Sequence, residues 1–467
     1  MPTQIVIVGS GGREHALAWK LAAEPGVNEV IVAPGSDAIA AEPRVRCVPG
    51  ADPLDPAAVV AVARREAAEL VVIGPEAALA TGIADELRDA GFAVFGPSAA
   101  AARIEASKAF CHEVTAAAGV RMARGASFNE AGPAVAFARR LATDGRGVVV
   151  KADGLAAGKG VTVCDTSVEA ERAIGELAAG VAGAATAGAG GTDRSDPSPW
   201  VVIEERLVGR EASLIALCDG RVAVALPPAR DHKRLLDGDG GPNTGGMGAY
   251  SPLPDLPDKA AEGLVAAFHR PILAELARRG TPFRGALYAG LMLTDDGPVL
   301  LECNARFGDP ETQAVLPRLA VPLGPLLLAA ARGDLGSALT GPVLAGGRLP
   351  TLPGTSVAVV LAAAGYPSAP RTGDMIDGLA DAAAAGALVF HAGTTRDADG
   401  TVRTAGGRVL SVVGRGADLA SAAAAASRAA DLIHSPGLQR RHDIGLITGS
   451  LRAVATDAGA HAEALAR

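Results

Sequence analysis

VVVKADGLAAGKGVTVC, residues 148–164, is the stretch of this chain that decides its fold. Two β-branched runs are joined there by a loop of small residues, and the segment carries Lys151 and Lys159. A Gly/Ala loop can fold over phosphate groups, and Lys supplies charge without bulk. A Walker A loop would need Gly at 153 and Ser or Thr at 160, where Asp153 and Gly160 stand. We therefore predict a flap that covers a nucleotide; the alternative is an exposed hairpin with two solvated lysines.

Lysine is rare in this chain, and its positions are informative. Of the 43 basic residues only six are Lys, at positions 20, 108, 151, 159, 233 and 259. Arg cannot replace the compact ammonium group of Lys where a point charge must meet a phosphate. We interpret the retained lysines as markers of chemistry.

A second informative stretch is LLECNARFGDPET, residues 300–312. Alternate side chains of a strand share a face, so Glu302, Asn304 and Arg306 should point together, with Cys303 turned toward the core. A carboxylate and an amide oxygen suit Mg²⁺ bound with nucleotide phosphates. Arginine beside them can hold a carboxylate or a phosphoryl group. The pattern predicts a metal-and-phosphate site; the alternative is an edge strand with a polar face.

Residues 1–106 read as one α/β domain. Short apolar runs at 5–8, 30–33, 70–74 and 93–96 alternate with Ala-rich helical segments, which predicts an open parallel sheet. GSGGREH at 9–15 lies between a strand and a helix, where backbone N–H groups can meet a phosphate. The dinucleotide pattern needs Gly at 14, but Glu14 is there, so NAD binding is disfavoured. The alternative is a tight turn without a ligand, and we expect His15 to be structural.

Residues 107–313 change to an α+β pattern. Two strand pairs look like hairpins: the flap, and VVIEERL with the following EASLIALCDGRVAVAL. The second pair could place backbone groups against an adenine and Glu211 against a ribose. RDHKR at 230–234 and the glycine-rich GPNTGGMGAYSP at 241–252 together indicate a loop that contacts substrate, although charge runs are commonly only solvated. The low-complexity stretch 180–199 predicts a flexible insertion without chemistry.

Residues 314–467 begin with a helical stretch, followed by strands at 355–363, 387–392 and 408–413 and an Ala-rich helix at 417–433. The net charge of −8 argues against a nucleic-acid partner, and there is no run of 18 apolar residues to span a membrane. The five scattered cysteines and a first segment without a basic region lead us to expect a cytoplasmic protein.

Taken together, these motifs resemble the ATP-grasp enzymes, and among them the phosphoribosylamine–glycine ligase family, over positions 4–445. The strings that carry the resemblance are GGREHALAWK, KADGLAAGKGV, DHKR, GPNTGGMGAYSP, NARFGDPETQ, RTGD, FHAGT and GGRVL. The resemblance implies a pre-ATP-grasp domain at 1–106, an ATP-grasp core at 107–313 with a mobile lid at about 125–195, and a C-terminal α+β domain at 314–467 that completes the site.

The resemblance also implies a reaction. Glycine would be joined to 5-phosphoribosylamine at the expense of ATP, through a glycyl phosphate, to give glycinamide ribonucleotide, ADP and phosphate in de novo purine biosynthesis. We expect a monomer whose partners are these small molecules, with Mg²⁺ or Mn²⁺ as the metal. Lys151, Arg306 and Asp231 would be the catalytic residues.

Site residues follow from the resemblance position by position. The residues implied for ATP are Lys108, Lys151, Gly158, Lys159, Gly160, Glu204, Leu207 and Glu211. The implied metal ligands are Glu302 and Asn304. The residues implied for phosphoribosylamine are Gly11, Gly12, Arg13, Gly74, Glu76, Arg371, Thr372, Gly373 and Asp374. Asp231, Arg306 and Asp309 would lie near glycine and its acyl phosphate.

Two other functions deserve comparison. Another ATP-grasp reaction, biotin carboxylation, needs an acceptor Lys on a carrier, and no Lys follows Lys259, although a separate carrier subunit would remove that objection. A nucleotide sensor without turnover would not need the charged set of Lys151, Glu302, Asn304 and Arg306. The sequence therefore favours the amino-acid ligase.

Overall fold

A computed structural model describes residues 1–155, 160–186, 199–339 and 347–446. The predicted lid residues Gly158 and Lys159, the stretch 187–198 of the low-complexity segment, and the tail after 450 lie outside the described residues. No helix among the described residues is long and apolar enough to cross a membrane. The five cysteines are free, and all except Cys47 are buried.

The first unit is a parallel sheet with the strand order β3-β2-β1-β4-β5. Its strands are β1 Gln4–Gly9, β2 Glu29–Pro34, β3 Val45–Cys47, β4 Leu70–Ile73 and β5 Val94–Phe95. Its helices are α1 Gly12–Ala22, α2 Pro56–Arg65, α3 Glu76–Ala80, α4 Ile83–Asp89 and α5 Ala99–Ala106. The predicted parallel sheet is confirmed, with β3 added. The strand order reverses between β1 and β4, which is where open α/β sheets bind ligands.

The flap belongs to a small antiparallel sheet with the order β6-β9-β7-β8. Its strands are β6 Gly125–Phe128, β7 Val148–Ala152, β8 Val161–Cys164 and β9 Val201–Glu205, and helices α6 Lys108–Ala117, α7 Ala131–Leu141 and α8 Ser167–Thr186 accompany them. The flap hairpin is present as β7 and β8. Val148, Val150 and Ile203 pack with alanines of α7 and α8 into a hydrophobic cluster of their own.

The second predicted hairpin is wrong. β9 pairs with β6 and β7, whereas the strand that follows it along the chain pairs with other strands in a different sheet. β9 is an inner strand with neighbours on both edges, so it has no free edge for the strand that comes next in the sequence. The short connection between the two strands therefore passes from one sheet to another.

The middle of the chain forms the larger antiparallel sheet β11-β10-β16-β17. The strands from this region are β10 Arg210–Asp219, β11 Ala223–Ala225, β12 Arg230–Asp231, β13 Arg234–Leu236, β14 Gly240–Asn243, β15 Gly248–Ser251, β16 Arg284–Thr294 and β17 Gly297–Asn304. The helices are α9 Ala261–Leu264, α10 Arg270–Arg278, α11 Glu311–Val315, α12 Gly324–Arg332 and α13 Leu335–Ala338. β13 and β14 form a separate two-stranded ribbon.

The last sheet has the order β12-β15-β18-β22-β19. Its later strands are β18 Thr355–Ala362, β19 Leu388–His391 and β22 Arg408–Gly416, beside the ribbon β20 Thr394–Arg396 and β21 Val402–Thr404 and the helices α14 Leu379–Ala384 and α15 Leu419–Asp431. The three predicted strands and the Ala-rich helix are present. This sheet draws strands from both sides of residue 313, and the domain boundaries at 106 and 313 stay predictions.

Candidate active site

The Lys151 side chain of the flap strand β7 reaches the backbone of the predicted metal strand β17. Lys151 Nζ donates to the backbone oxygen of Leu301 at 3.0 Å. Leu301 is the residue before Glu302, so the lysine meets the strand that carries the predicted metal ligands. The two segments that the sequence predicts to enclose a triphosphate are therefore neighbours in space.

Lys151 is also paired with Glu204, the last but one residue of β9. Its Nζ lies 2.6 Å from Glu204 Oε2, and His112 Nε2 lies 2.8 Å from Glu204 Oε1. Burial opposes ionisation of Glu204, yet Lys151 and His112 hold the pKa of its carboxyl below the ordinary value. The Glu204 side chain is thus occupied by protein partners, and its backbone lies in the ladder between β6 and β7. Sequence reasoning missed His112, which follows no recognisable motif.

The base of the flap is fastened to the start of α6. Lys108 Nζ donates to the Gly154 carbonyl at 2.9 Å. The Asp153 carboxylate accepts hydrogen bonds from Ser107 Oγ at 3.0 Å and from the Ala109 amide at 3.1 Å. Asp153, which rules out a Walker A loop in the sequence, therefore holds the flap to the helix that presents Lys108. Burial lowers the pKa of Lys108.

The alternation predicted for β17 and the residues after it is confirmed. Glu302, Asn304 and Arg306 are partly exposed, whereas Cys303 and Phe307 are buried. The Asn304 amide satisfies its hydrogen bonds when its nitrogen donates to Glu105 Oε1 and to the Cys303 carbonyl, both at 3.2 Å. That orientation leaves the amide oxygen as the atom that a cation would use.

Lys233 joins two carboxylates with separate predicted roles. Its Nζ lies 3.2 Å from Glu302 Oε1 and 3.3 Å from Glu211 Oε2. Lys233 is the main cause that lowers the pKa of Glu302 to about 2. The sequence marked the segment 230–234, but it gave no role to Lys233 itself. The signal that could have found it is the scarcity of lysine.

Asp231 lies in the same charged pocket. Burial raises its pKa to about 8 despite the attraction of Lys233, and the nearby carboxylates of Glu311, Glu211 and Glu302 contribute to the rise. Glu311 is buried and accepts a hydrogen bond from Ser213 Oγ at 3.0 Å. Sequence reasoning missed Glu311, because buried carboxylates leave no local pattern.

Three residues predicted for the substrates meet where the first unit touches β17. Arg306 Nη2 lies 2.9 Å from Glu105 Oε1, and its Nε lies 3.4 Å from Glu76 Oε2. Arg13 Nη1 lies 4.0 Å from the same oxygen of Glu76. Arg306 Nε is buried and makes no hydrogen bond within the described residues. This nitrogen thus carries an N–H without a hydrogen-bond acceptor, although the Glu76 carboxylate lies nearby.

Glu14 contacts the glycines that follow β1 and β4. Its Oε2 accepts the Gly11 amide at 2.7 Å, and its Oε1 lies 2.6 Å from Arg13 Nε. A Cβ atom added to Gly74 would stand 2.0 Å from Glu14 Oε1, so Gly74 must lack a side chain. Glu14, which breaks the dinucleotide pattern, therefore fixes the positions of Gly11 and Arg13. The sequence did not reveal this role.

Asp309 is held by Arg408 of β22. Arg408 Nη2 lies 2.9 Å from Asp309 Oδ2, and Arg408 Nη1 donates to the Gly245 carbonyl at 2.5 Å. Gln313 Nε2 donates to Asp309 Oδ1 at 2.7 Å. The glycine-rich loop, the segment after β17 and the last sheet meet at this arginine. Gly12 belongs here too, because a Cβ atom on it would be 2.9 Å from Gln313 Nε2.

The remaining predicted residues lie elsewhere in the described chain. Arg371 Nε pairs with Asp374 Oδ2 at 2.6 Å, and Arg371 Nη2 donates to the Pro436 carbonyl at 2.8 Å. No hydrogen bond or ion pair among the described residues joins the segment Arg371–Asp374 to Arg13 or Arg306. Leu207 follows β9, and the Gly160 carbonyl accepts the Ala152 amide at 2.7 Å within the flap.

Comparison with known proteins identifies the family. The phosphoribosylglycinamide synthetase models match in order: the N domain at residues 3–105, the ATP-grasp (A) domain at 106–312 and the C domain at 356–447. The chain belongs to the phosphoribosylglycinamide synthetase family. As a member of this family it is an enzyme, an ATP-grasp carbon–nitrogen ligase of purine biosynthesis.

Individual relatives agree with the family models. The phosphoribosylamine–glycine ligase of Streptomyces coelicolor is 48% identical over 444 residues, which cover 94% of this chain and 98% of the relative. The crystal structure of phosphoribosylamine–glycine ligase from Thermotoga maritima superposes with a TM-score of 0.72 at 32% identity, covering 94% of this chain and 100% of that one. Biotin carboxylase from Campylobacter jejuni has a TM-score of 0.66 at 16% identity, which shows a shared fold alone.

Proposed function

We propose that this synthetase-family chain makes glycinamide ribonucleotide through a glycyl phosphate, with ATP held between the flap and β17. The observation that carries the proposal is the contact of Lys151 Nζ with the Leu301 carbonyl at 3.0 Å. A triphosphate in that gap would meet Lys151 and Lys108 on one side and Glu302 with its metal on the other. Glu211 would receive the ribose, and Glu204 and Leu207 would meet the adenine.

The residues present fit a magnesium or manganese ion that arrives with the nucleotide. The described residues contain no group of three or more His, Cys, Asp or Glu arranged for a metal. Glu302, with its pKa near 2, is a permanent carboxylate, and Asn304 offers an amide oxygen beside it. Mg²⁺ is commonly bound by one or two such groups plus phosphates and water. When bound, the ion would neutralise charge on the phosphate oxygens.

The proposed reaction has two steps. A carboxylate oxygen of glycine attacks the γ-phosphorus of ATP, the bond to the β–γ bridging oxygen breaks, and ADP leaves. The amine of phosphoribosylamine then attacks the acyl carbon, and phosphate leaves as the amide forms and the nitrogen loses a proton. The chain supplies no nucleophile. Its residues orient the reactants and balance their charge, mainly through Lys151 and Arg306.

The substrate side of the cleft is assigned from the clusters around Arg306 and Asp309. Arg306 Nε, buried without a hydrogen-bond partner among the described residues, would bind the glycine carboxylate or the phosphoryl group in transfer. Asp231 and Asp309 would lie near glycine. Phosphoribosylamine would be held by Gly11, Gly12, Arg13, Gly74 and Glu76 and by the segment Arg371–Asp374. We further propose that the enzyme acts as a cytoplasmic monomer.

Isotope transfer tests the intermediate directly. Glycine labelled with ¹⁸O in its carboxylate should deliver one labelled oxygen to each phosphate released, because that oxygen bridges carbon and phosphorus in a glycyl phosphate. ADP release should also require glycine when each substrate is omitted in turn. Release of unlabelled phosphate, or ADP release at the same rate without glycine, would contradict the proposal.

A further inference from the structure

A second charged cleft lies on the opposite side of the first sheet. It has a volume of about 500 Å³ and is lined by Glu69, Phe92, Arg88, Arg284 and Arg332, among others. We call it the arginine cleft. Glu69 and Phe92 come just before β4 and β5, whereas the active site gathers where β1 and β4 end. In a parallel sheet the starts and the ends of the strands lie on opposite sides, so the arginine cleft is separate from the nucleotide site.

The three arginines come from different parts of the fold. Arg88 lies in α4, Arg284 begins β16 and Arg332 ends α12. Their convergence is therefore a product of tertiary structure, unlike a run of charges along one solvated helix. A ligand in the cleft would touch the first sheet, the large sheet and the helix packed between them.

Arg88 and Arg284 are partly buried and Arg332 is exposed, and none of the three forms an ion pair within the described residues. Arg88 Nε and Arg284 Nε are both buried without a hydrogen-bond partner among the described residues. Arg88 Nη2 donates hydrogen bonds to the Val94 and Gly96 carbonyls. Within the described chain, no carboxylate lies within ion-pair distance of any of the three arginines. Burial lowers the pKa of Arg88, and Arg284 adds to the effect by repulsion.

Two acidic residues nearby, Glu69 and Asp85, attract Arg332 and Arg88 from beyond ion-pair distance. Glu69 at the rim accepts hydrogen bonds from the Thr3 amide at 3.1 Å and from Thr3 Oγ1 at 2.5 Å, so its oxygens are already engaged. Asp85, which attracts Arg88, accepts the Ala99 amide at 2.8 Å.

We propose that the arginine cleft binds a phosphate-bearing small molecule. Guanidinium groups present forked donors that match phosphate oxygens, and three of them line this cleft. The volume lies within the range of small-molecule sites. Because the cleft joins three parts of the fold away from the nucleotide, its ligand should stabilise the chain without competing with ATP.

Phosphate-dependent stability of an Arg284→Gln variant tests the proposal, with inorganic phosphate as the probe. Thermal unfolding is followed at constant ionic strength, with a non-hydrolysable ATP analogue and Mg²⁺ saturating the active site. Phosphate should raise the Tm of the wild type saturably, because a ligand of the folded state stabilises it by mass action. In Arg284→Gln this rise should disappear.

Phosphate should also reverse the order of thermal stability of the wild type and Arg284→Gln. Without phosphate, Arg284→Gln should be at least as stable as the wild type, because it removes a charge that repels Arg88. With phosphate the wild type should be the more stable. Arg270→Gln, which alters an exposed arginine of α10, is the matched control and should keep the full response. Arg332→Gln, also at an exposed position, should weaken the response without affecting folding.

Two results would overturn the proposal. One is an equal phosphate response in wild type and Arg284→Gln, which would place the phosphate elsewhere. The other is a response that chloride reproduces at the same ionic strength, which would reflect screening alone. Neither outcome bears on the ligase reaction, which the ¹⁸O experiment tests separately.

Discussion

Lys233 lies between the two carboxylates that organise the nucleotide site. It contacts Glu302 and Glu211 at 3.2 and 3.3 Å, and it is the main cause that keeps Glu302 ionised. Its positive charge also lies beside the place proposed for the phosphates. A metal ion that binds Glu302 would share this carboxylate with the lysine, so Lys233 helps to set the charge balance of the loaded site.

The substitution Lys233→Met should lower kcat by a factor on the order of 10²–10³, as expected for the loss of one electrostatic stabiliser. Methionine keeps most of the unbranched stem and removes the ammonium group. The measurement is ADP release with saturating glycine and phosphoribosylamine. Lys259→Met changes an exposed lysine outside the site and should leave kcat unchanged. Equal rates in the wild type and Lys233→Met would exclude this role.

Single residues divide into those the sequence could predict and those it could not. The common face of Glu302, Asn304 and Arg306 follows from the period of a strand, which is a local property. The pairs Lys151–Glu204 and Asp309–Arg408 join distant parts of the chain, and no local pattern encodes them. The sequence therefore predicted residue types and faces at the site, but not the partners that fix them.

Among the elements, α15 packs unusually close to β22. A Cβ atom on Gly414 would stand 2.2 Å from the Ala426 amide nitrogen and 2.5 Å from the Ala422 carbonyl oxygen. The helix can approach because Ala occupies its inner face, at Ala422 and Ala426, and Gly the facing strand position. Backbone thus lies almost directly on backbone, and neither atom can move like the end of a flexible side chain.

Gly414→Ala should therefore lower the free energy of unfolding by about 1–3 kcal/mol, in the range measured for overpacked cores. Urea unfolding of the purified protein measures the loss. Gly175→Ala is the matched control, because nothing lies within 4 Å of a Cβ atom there and the residue is exposed in α8. That change should be neutral or slightly stabilising. A neutral Gly414→Ala would show that the helix can shift freely.

The elements themselves were mostly predictable, since alternating and continuous apolar runs reflect local burial. The failures have physical reasons. β3 is three residues long and partly exposed, so it carries little hydrophobic signal. The false hairpin arose because adjacent strands usually pair, whereas β9 is enclosed by β6 and β7. Strand pairing depends on the free edges of a folded sheet, which the sequence does not list.

Across the whole molecule, two histidines couple stability to pH, His269 being buried and His391 partly buried. Burial lowers the pKa of His269 to about 4, and burial with His15 and Arg396 nearby lowers the pKa of His391 to about 3. The unfolded chain takes up these protons near pH 6.5, before the folded chain does. Stability should therefore fall as the pH drops from 6.5 toward 4. Asp231, with its raised pKa, acts in the opposite direction.

A variant separates these contributions. In the window from pH 6.5 to 5, each such histidine should cost about 1.4 kcal/mol per pH unit. His269→Gln should make the pH dependence shallower by that amount, as measured by urea unfolding at a series of pH values. His434→Gln removes an exposed histidine and should leave the slope unchanged. If the pH dependence of the unfolding free energy is the same in His269→Gln as in the wild type, burial of His269 is excluded as its cause.

The mixed last sheet has a consequence for how the enzyme is made. β12 and β15 leave the ribosome well before β18, the strand that must cover the open edge of β15. Until then the nascent chain exposes that edge, and the glycine-rich loop between β14 and β15 has no Arg408 to anchor it. Catalytic competence should thus arise only after Arg408 has been translated, and a product terminated before β18 would be inactive and prone to pair with another chain.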